Sequence, residues 1–178
     1  MPKAVNNKAV KNDLKIIALI GECNTGKSLT IRNVIMQLIN KSANISTPSK
    51  YRKMSVANII ADIIRTERTK KGEVSEMTAI FELNGKKILV TTYGDEWKGL
   101  EDKFKHNVDL FVCAAHRKFI KDNNGNNLKN ATKNGWLITI GRNFYNSPFS
   151  NDLIKQKTLQ EEQAKFIADE ILSHIANI

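Results

Sequence analysis

Ile16-Ile17-Ala18-Leu19-Ile20-Gly21-Glu22-Cys23-Asn24-Thr25-Gly26-Lys27-Ser28 decides how the chain is read. Its first five residues make a short apolar run of the kind that forms a strand buried on both faces. Beyond Ser28, the residues Leu29, Ile31, Val34, Ile35, Leu38 and Ile39 recur at helical spacing. Between strand and helix lies a loop of the form G-x-x-x-x-G-K-[ST], spanning 21–28. Gly21 and Gly26 permit backbone conformations that a Cβ would penalise.

Successive N–H groups of such a loop turn inward and form a nest for anions. The helix opening near Lys27 adds the positive end of its dipole. Lys27, expected at the surface of the cleft, reaches toward β- and γ-phosphates, and the Ser28 hydroxyl is suited to Mg²⁺. On these residues, segment 16–40 resembles the P-loop NTPase superfamily. The resemblance implies ATP or GTP with Mg²⁺ as ligands. It implies Gly21, Asn24, Thr25, Gly26, Lys27, Ser28 and Leu29 as the nucleotide-binding set, with Lys27 also catalytic. It further implies an α/β, P-loop NTPase-like three-layer sandwich around a mixed, mostly parallel sheet of about five strands.

The composition fits one domain, expected over 14–178 after a flexible leader, 1–13. No apolar stretch approaches the roughly 20 residues that span a membrane. The leader, with Lys3, Lys8 and Lys11, lacks a signal-peptide core. Two cysteines, Cys23 and Cys113, are too few for a disulfide framework, so a cytoplasmic setting is expected. The net charge of +10 favours polyanionic partners, nucleotides and nucleic acid included. The basic residues are nevertheless scattered, and no zinc-ligand spacing or RNA-binding aromatic signature is present.

Further along, Val56, Ile59, Ile60, Ile63 and Ile64 outline an amphipathic helix behind Ser55. Segments 77–83 and 86–92 read as strands joined by Asn84-Gly85, the preferred type I′ turn. So short a turn makes them antiparallel, hence a mixed sheet. A helix is expected over 95–106, with Trp97, Leu100 and Phe104 inward. Strands follow at 108–115 and 136–140, with a long basic loop or lid at 116–135 between them. The last helix, 153–178, is expected to turn Leu159, Phe166, Ile167, Ile171, Leu172 and Ile175 inward.

If the strands at 16–20, 86–92, 108–115 and 136–140 run parallel, the loops at their carboxyl ends converge, which is where ligands bind in open α/β sheets. The loop 91–96 offers Asp95, as a metal-side acid, as a base for an acceptor hydroxyl, or as the N-cap of the next helix. Thr91-Thr92-Tyr93-Gly94 also resembles the D-x-x-G of small GTPases, with Thr in place of Asp. The guanine-reading N-K-x-D of that family is missing. Arg117 fits a phosphate clamp, as in P-loop kinases, or a solvated basic loop. His116 reads as an ordinary strand-end histidine. Arg142 could stack on a base and Asn143 bond its edge. Glu22, inside the loop, points either away from phosphates or toward an acceptor or metal-bound water.

Three functions are compatible with these residues. The first is kinase-like phosphoryl transfer from ATP to a small acceptor, or hydrolysis. The second is a GTPase-like switch acting on a protein partner. The third is a nucleic-acid-associated or assembly protein that uses NTP structurally.

Overall fold

The run 16–20 is almost wholly shielded from water, and its residues alternate between two cores. A computed structural model describes residues 13–22, 26–41, 78–121, 127–141 and 153–178. Strand β1 (Lys15–Gly21) places Ile17 and Leu19 in one core and Ile16, Ala18 and Ile20 in the other. A strand covered on both sides needs apolar residues at every position, which is why its sequence shows no alternation.

Four more strands complete the sheet among the described residues: β2 (Thr78–Leu83), β3 (Lys86–Thr91), β4 (Leu110–His116) and β5 (Trp136–Gly141). Their order is β2-β3-β4-β1-β5. Only β2 runs against its neighbour, pairing with β3. The pairs β3–β4, β4–β1 and β1–β5 are parallel. The fold is therefore α/β with a mixed five-stranded sheet. The expected Asn-Gly turn is present, with φ of 50° at Asn84 and 73° at Gly85. Both values are positive, as a type I′ turn requires.

Helices lie on both faces. Helix α1 (Lys27–Lys41) contributes Ile31, Val34, Ile35 and Leu38 to the first core. The second core receives Leu100 and Phe104 from α2 (Trp97–Phe104), Phe119 from α3 (Lys118–Lys121) and Leu128 from α4 (Leu128–Ala131). Phe104 meets Phe111 edge to face, with ring centroids 5.3 Å apart. The C-terminal helix α5 (Leu153–Ile175) packs beside α1. Its fully buried Ala164 and Ala168 have short side chains, suited to close approach to the core.

Two expectations need correction. Segment 116–135 is not one long loop. His116 ends β4, and α3 and α4 anchor the stretch through the buried Phe119, Leu128 and Ala131. Four-residue helices are too short to leave a periodicity in sequence. Asn127 caps α4, its Oδ1 accepting from the Asn130 N–H at 2.9 Å. Phe166, expected inward, is 53% exposed because the buried stripe of α5 runs through Gln163, Ala164, Ile167, Ala168 and Ile171 instead. Leu29 is also largely exposed, on the outer side of α1. The expected helix at 55–64 and the leader before Asp13 lie outside the described residues. Among the described residues, no helix is long and apolar enough to cross a membrane.

Cys113 sits in the middle of β4 and is completely buried, which pushes its thiol from 9.0 up to about 12. Below the lower value, both folded and unfolded chains keep the proton. Above it the unfolded chain ionises first, so this group's contribution to stability falls as pH rises from 9.0 toward about 12. Urea unfolding at about pH 8 and about pH 10 should show a smaller loss of stability for Cys113→Ala than for the parent, by up to about 1.4 kcal/mol per pH unit. Equal losses would show that the thiol does not titrate on unfolding.

Candidate functional site

The carboxyl ends of the four parallel strands lie along one edge of the sheet. Gly21 pairs with His116, Ile20 with Gly141, and Thr91 with Cys113. The loops after β1, β3 and β4 therefore start close together, as their sequence positions led us to expect. The loop after β5 begins beside them, but Arg142 and Asn143 lie outside the described residues.

Strand β4 separates β3 from β1, so the chain leaving β3 must cross the end of β4 to reach the glycine loop. Gly94 makes that crossing. A Cβ there would stand 2.1 Å from the carbonyl oxygen of Ala114, well inside van der Waals contact. The Gly94 carbonyl accepts the His116 N–H at 2.9 Å. Thr91 fixes the departure from β3, its Oγ1 accepting the Tyr93 N–H at 3.2 Å and lying 2.9 Å from the Thr78 hydroxyl. Thr91 and Thr92 are both buried. In the resemblance to D-x-x-G, Thr91 stood at the metal-side position. In the structure its hydroxyl is engaged in shaping the loop.

The crossing delivers Asp95 to Lys27, with Oδ1 3.9 Å from Nζ. Asp95 is 59% exposed and does not cap α2, whose N-cap position is Glu96, with no side-chain cap bond. Lys27 opens α1 and is only 5% exposed, not at the cleft surface as expected. Its ammonium folds back to donate to the Glu22 carbonyl at 2.6 Å. A buried ammonium requires such partners, because desolvation without them is costly. The turn into α1 depends on Gly26, at φ 75°. Gly21 does not share that conformation and simply ends β1. The Gly26 carbonyl accepts from the N–H and hydroxyl of Thr30 at 3.1 and 3.3 Å. Ser28 is half-buried in the first turn. Asn24 and Thr25 lie outside the described residues, as does Cys23.

Glu22, left open by the sequence, is held at the end of β4. Its Oε2 is 3.1 Å from His116 Nε2, and its Oε1 is 3.8 Å from Arg117 Nε. His116 Nδ1 accepts the Lys118 N–H at 3.1 Å. That bond leaves the ring proton on Nε2, where it is donated to Glu22. His116 is thus a working member of the cluster rather than an isolated strand-end residue. Arg117 is 69% exposed and paired with Glu22 rather than held over the loop. The cluster was hidden in sequence because Glu22 and His116 are 94 positions apart (116 − 22). The sign that could have found it is positional: Glu22 follows the last residue of β1, and His116 is the last residue of β4.

Among the described residues, no group of three His, Cys, Asp or Glu side chains could hold a metal by itself. Of the expected oxygen donors, Ser28 follows Lys27 in the chain and Asp95 lies 3.9 Å from its Nζ. They are hard ligands of the type Mg²⁺ accepts while keeping several waters. Compared with known proteins, the chain matches no family model, and neither curated proteins nor solved structures give a significant match.

Gly94→Ala tests the crossing. The new methyl has no room against the Ala114 carbonyl, so the loop must shift or β4 must yield. Urea denaturation should show a loss of roughly 2–4 kcal/mol. A variant as stable as its parent would mean that the loop moves away from β4 at little cost.

Proposed function

We propose that the loop 21–28 binds a nucleoside triphosphate with Mg²⁺, ATP being preferred, and that the protein is a P-loop NTP-binding domain. It transfers the γ-phosphoryl group to a small acceptor or to water. The observation that carries this reading is the meeting of Lys27 and Asp95 at the start of α1, beyond the end of interior strand β1. The sequence there is G-x-x-x-x-G-K-S, and the α/β architecture supports the same reading.

In this reading each charged group has a task. Lys27, held by the Glu22 carbonyl, supplies a compact positive charge to the phosphates. The first turn of α1 adds its dipole. Ser28 and Asp95 would hold Mg²⁺, which would supply positive charge to offset that of the phosphates. Asp95 is exposed enough to turn from Lys27 toward a cation. Glu22, oriented by His116, takes the proton of the attacking hydroxyl or water as its oxygen bonds to the γ-phosphorus and the bond to the diphosphate breaks. Arg117 is free enough at the surface to exchange Glu22 for a phosphate oxygen and offset charge in the transition state.

A second reading, a GTPase-like switch, draws on one feature. The loop 91–96 touches β4 through Gly94 and Lys27 through Asp95, so a ligand arriving at Lys27 would disturb it.

Calorimetric titration with Mg-ATP, Mg-GTP, Mg-dATP and Mg-dTTP tests both readings. ATP selectivity is expected, and GTP selectivity would move the reading to the switch. Lys27→Met should weaken triphosphate binding on the order of 100-fold and cost about 1 kcal/mol of stability through the lost bond to Glu22. Unchanged affinity in that variant would overturn the proposal. Glu22→Gln should bind ATP within a few-fold of the parent, yet lose turnover by roughly 100-fold or more. Full turnover would remove Glu22 from the chemistry.

A further inference from the structure

Outside the glycine loop, one apolar cavity lies beside a buried, unsatisfied polar group. It lies between β5 and α5, has a volume of about 230 Å³, and is lined by Ile140, Leu159, Glu162, Gln163 and Phe166. Gln163 is 4% exposed. Among the described residues, neither its Oε1 nor its Nε2 has a hydrogen-bond partner, and both atoms are shielded from water. A buried carboxamide without partners opposes folding, and apolar residues of similar size would fill its place at no such cost. Phe166 adds a second anomaly, a large aromatic ring 53% exposed.

The position of the cavity relates it to the glycine loop. Leu19 pairs with Ile140 across the parallel β1–β5 ladder. Ile140 is therefore one strand over from β1 and two residues below the level of Gly21. At ordinary strand spacing and rise, that is roughly 8 Å from the start of the loop. Ile140 packs against the same core as α1 and α5, so the cavity is on the face of the sheet from which Lys27 begins its helix.

We infer that this cavity is the base subsite of the bound nucleotide and that it takes adenine. The inference rests on the proposal that the loop 21–28 binds the phosphates. A flat ring between Ile140 and Leu159 buries apolar surface, and the exposed face of Phe166 is available for stacking. The carboxamide of Gln163 lies behind the apolar lining, and a change of side-chain rotamer brings it to the ligand edge. Its acceptor and donor then pair with the exocyclic amine and an adjacent ring nitrogen of adenine, two bonds for two unsatisfied atoms. Glu162, exposed at the rim, is an acceptor that favours an amine and repels a carbonyl oxygen. Guanine would present its O6 carbonyl there and carry additional polar groups against Ile140 and Leu159. A pyrimidine would leave more of the Phe166 ring uncovered.

The test compares the full-length parent, Gln163→Leu and Phe166→Ala, each titrated with Mg-ATP, Mg-GTP and tripolyphosphate. The parent is expected to bind ATP more tightly than GTP or tripolyphosphate. Gln163→Leu should lose roughly tenfold in ATP affinity, keep its tripolyphosphate affinity, and melt at a higher temperature than the parent. Phe166→Ala alters an exposed side chain, so it should fold normally and also lose ATP affinity selectively. An unchanged ratio of ATP to tripolyphosphate affinity in both variants, or a preference of the parent for GTP, would overturn the adenine subsite. Adenosine added to isotope-labelled parent separates this inference from the phosphate reading. A shift of the Gln163 side-chain amide resonance supports the subsite even if tripolyphosphate fails to bind. No shift, with tripolyphosphate bound, leaves the loop reading standing and removes the subsite.

Discussion

The close crossing of Gly94 over Ala114 is the constraint on which the candidate site depends. Strand β4 lies between β3 and β1, so the loop after β3 starts a full strand away from the glycine loop. It closes that gap by running against the end of β4, with its carbonyl bonded to the His116 N–H. No side chain fits at the crossing point. Asp95 follows immediately and is carried to Lys27. The same hydrogen bond pins the last residue of β4, so His116 is held where it meets Glu22. One backbone contact therefore sets the positions of charged groups from three segments of the chain.

Those groups are largely paired with one another. Lys27 is buried and leans on a main-chain carbonyl, with Asp95 nearby. Glu22 is shared between His116 and Arg117. Burial and exposure divide the roles. The buried ammonium has little freedom and ties the start of α1 to the chain just beyond β1. The exposed carboxylate of Asp95 and guanidinium of Arg117 can exchange partners with little desolvation cost. Such exchange is what binding a multiply charged anion demands, because each charge it brings must displace or join an existing pair.

The edge at β5 has a different physical character. Strand β5 is only partly covered, and α5 places Ala164 and Ala168 in the core that it shares with α1. Phe166 lies outside that buried stripe and faces outward, and a cavity remains beside Ile140 and Gln163. The cavity is thus a consequence of how α5 is rotated about its own axis, and it lies on the same face as the start of α1.

Much of this molecule follows from local sequence. The apolar run 16–20, the Asn84-Gly85 turn and the helical spacing after Ser28 each specify their own structure, because strand burial, turn geometry and helix periodicity are properties of neighbouring residues. The mixed α/β sheet follows from them in outline, and so does the gathering of loops at its carboxyl edge. The four-residue helices α3 and α4 were illegible, since one turn carries no periodicity. Phe166 was misplaced because an inward stripe built on alanine is weaker in hydropathy than the large residues beside it. What tertiary structure alone decided is the strand order, and with it the partners of Glu22, Lys27 and Asp95. Those contacts join residues far apart in the chain, and their distances depend on β4 entering between β1 and β3, a long-range pairing that no local pattern encodes.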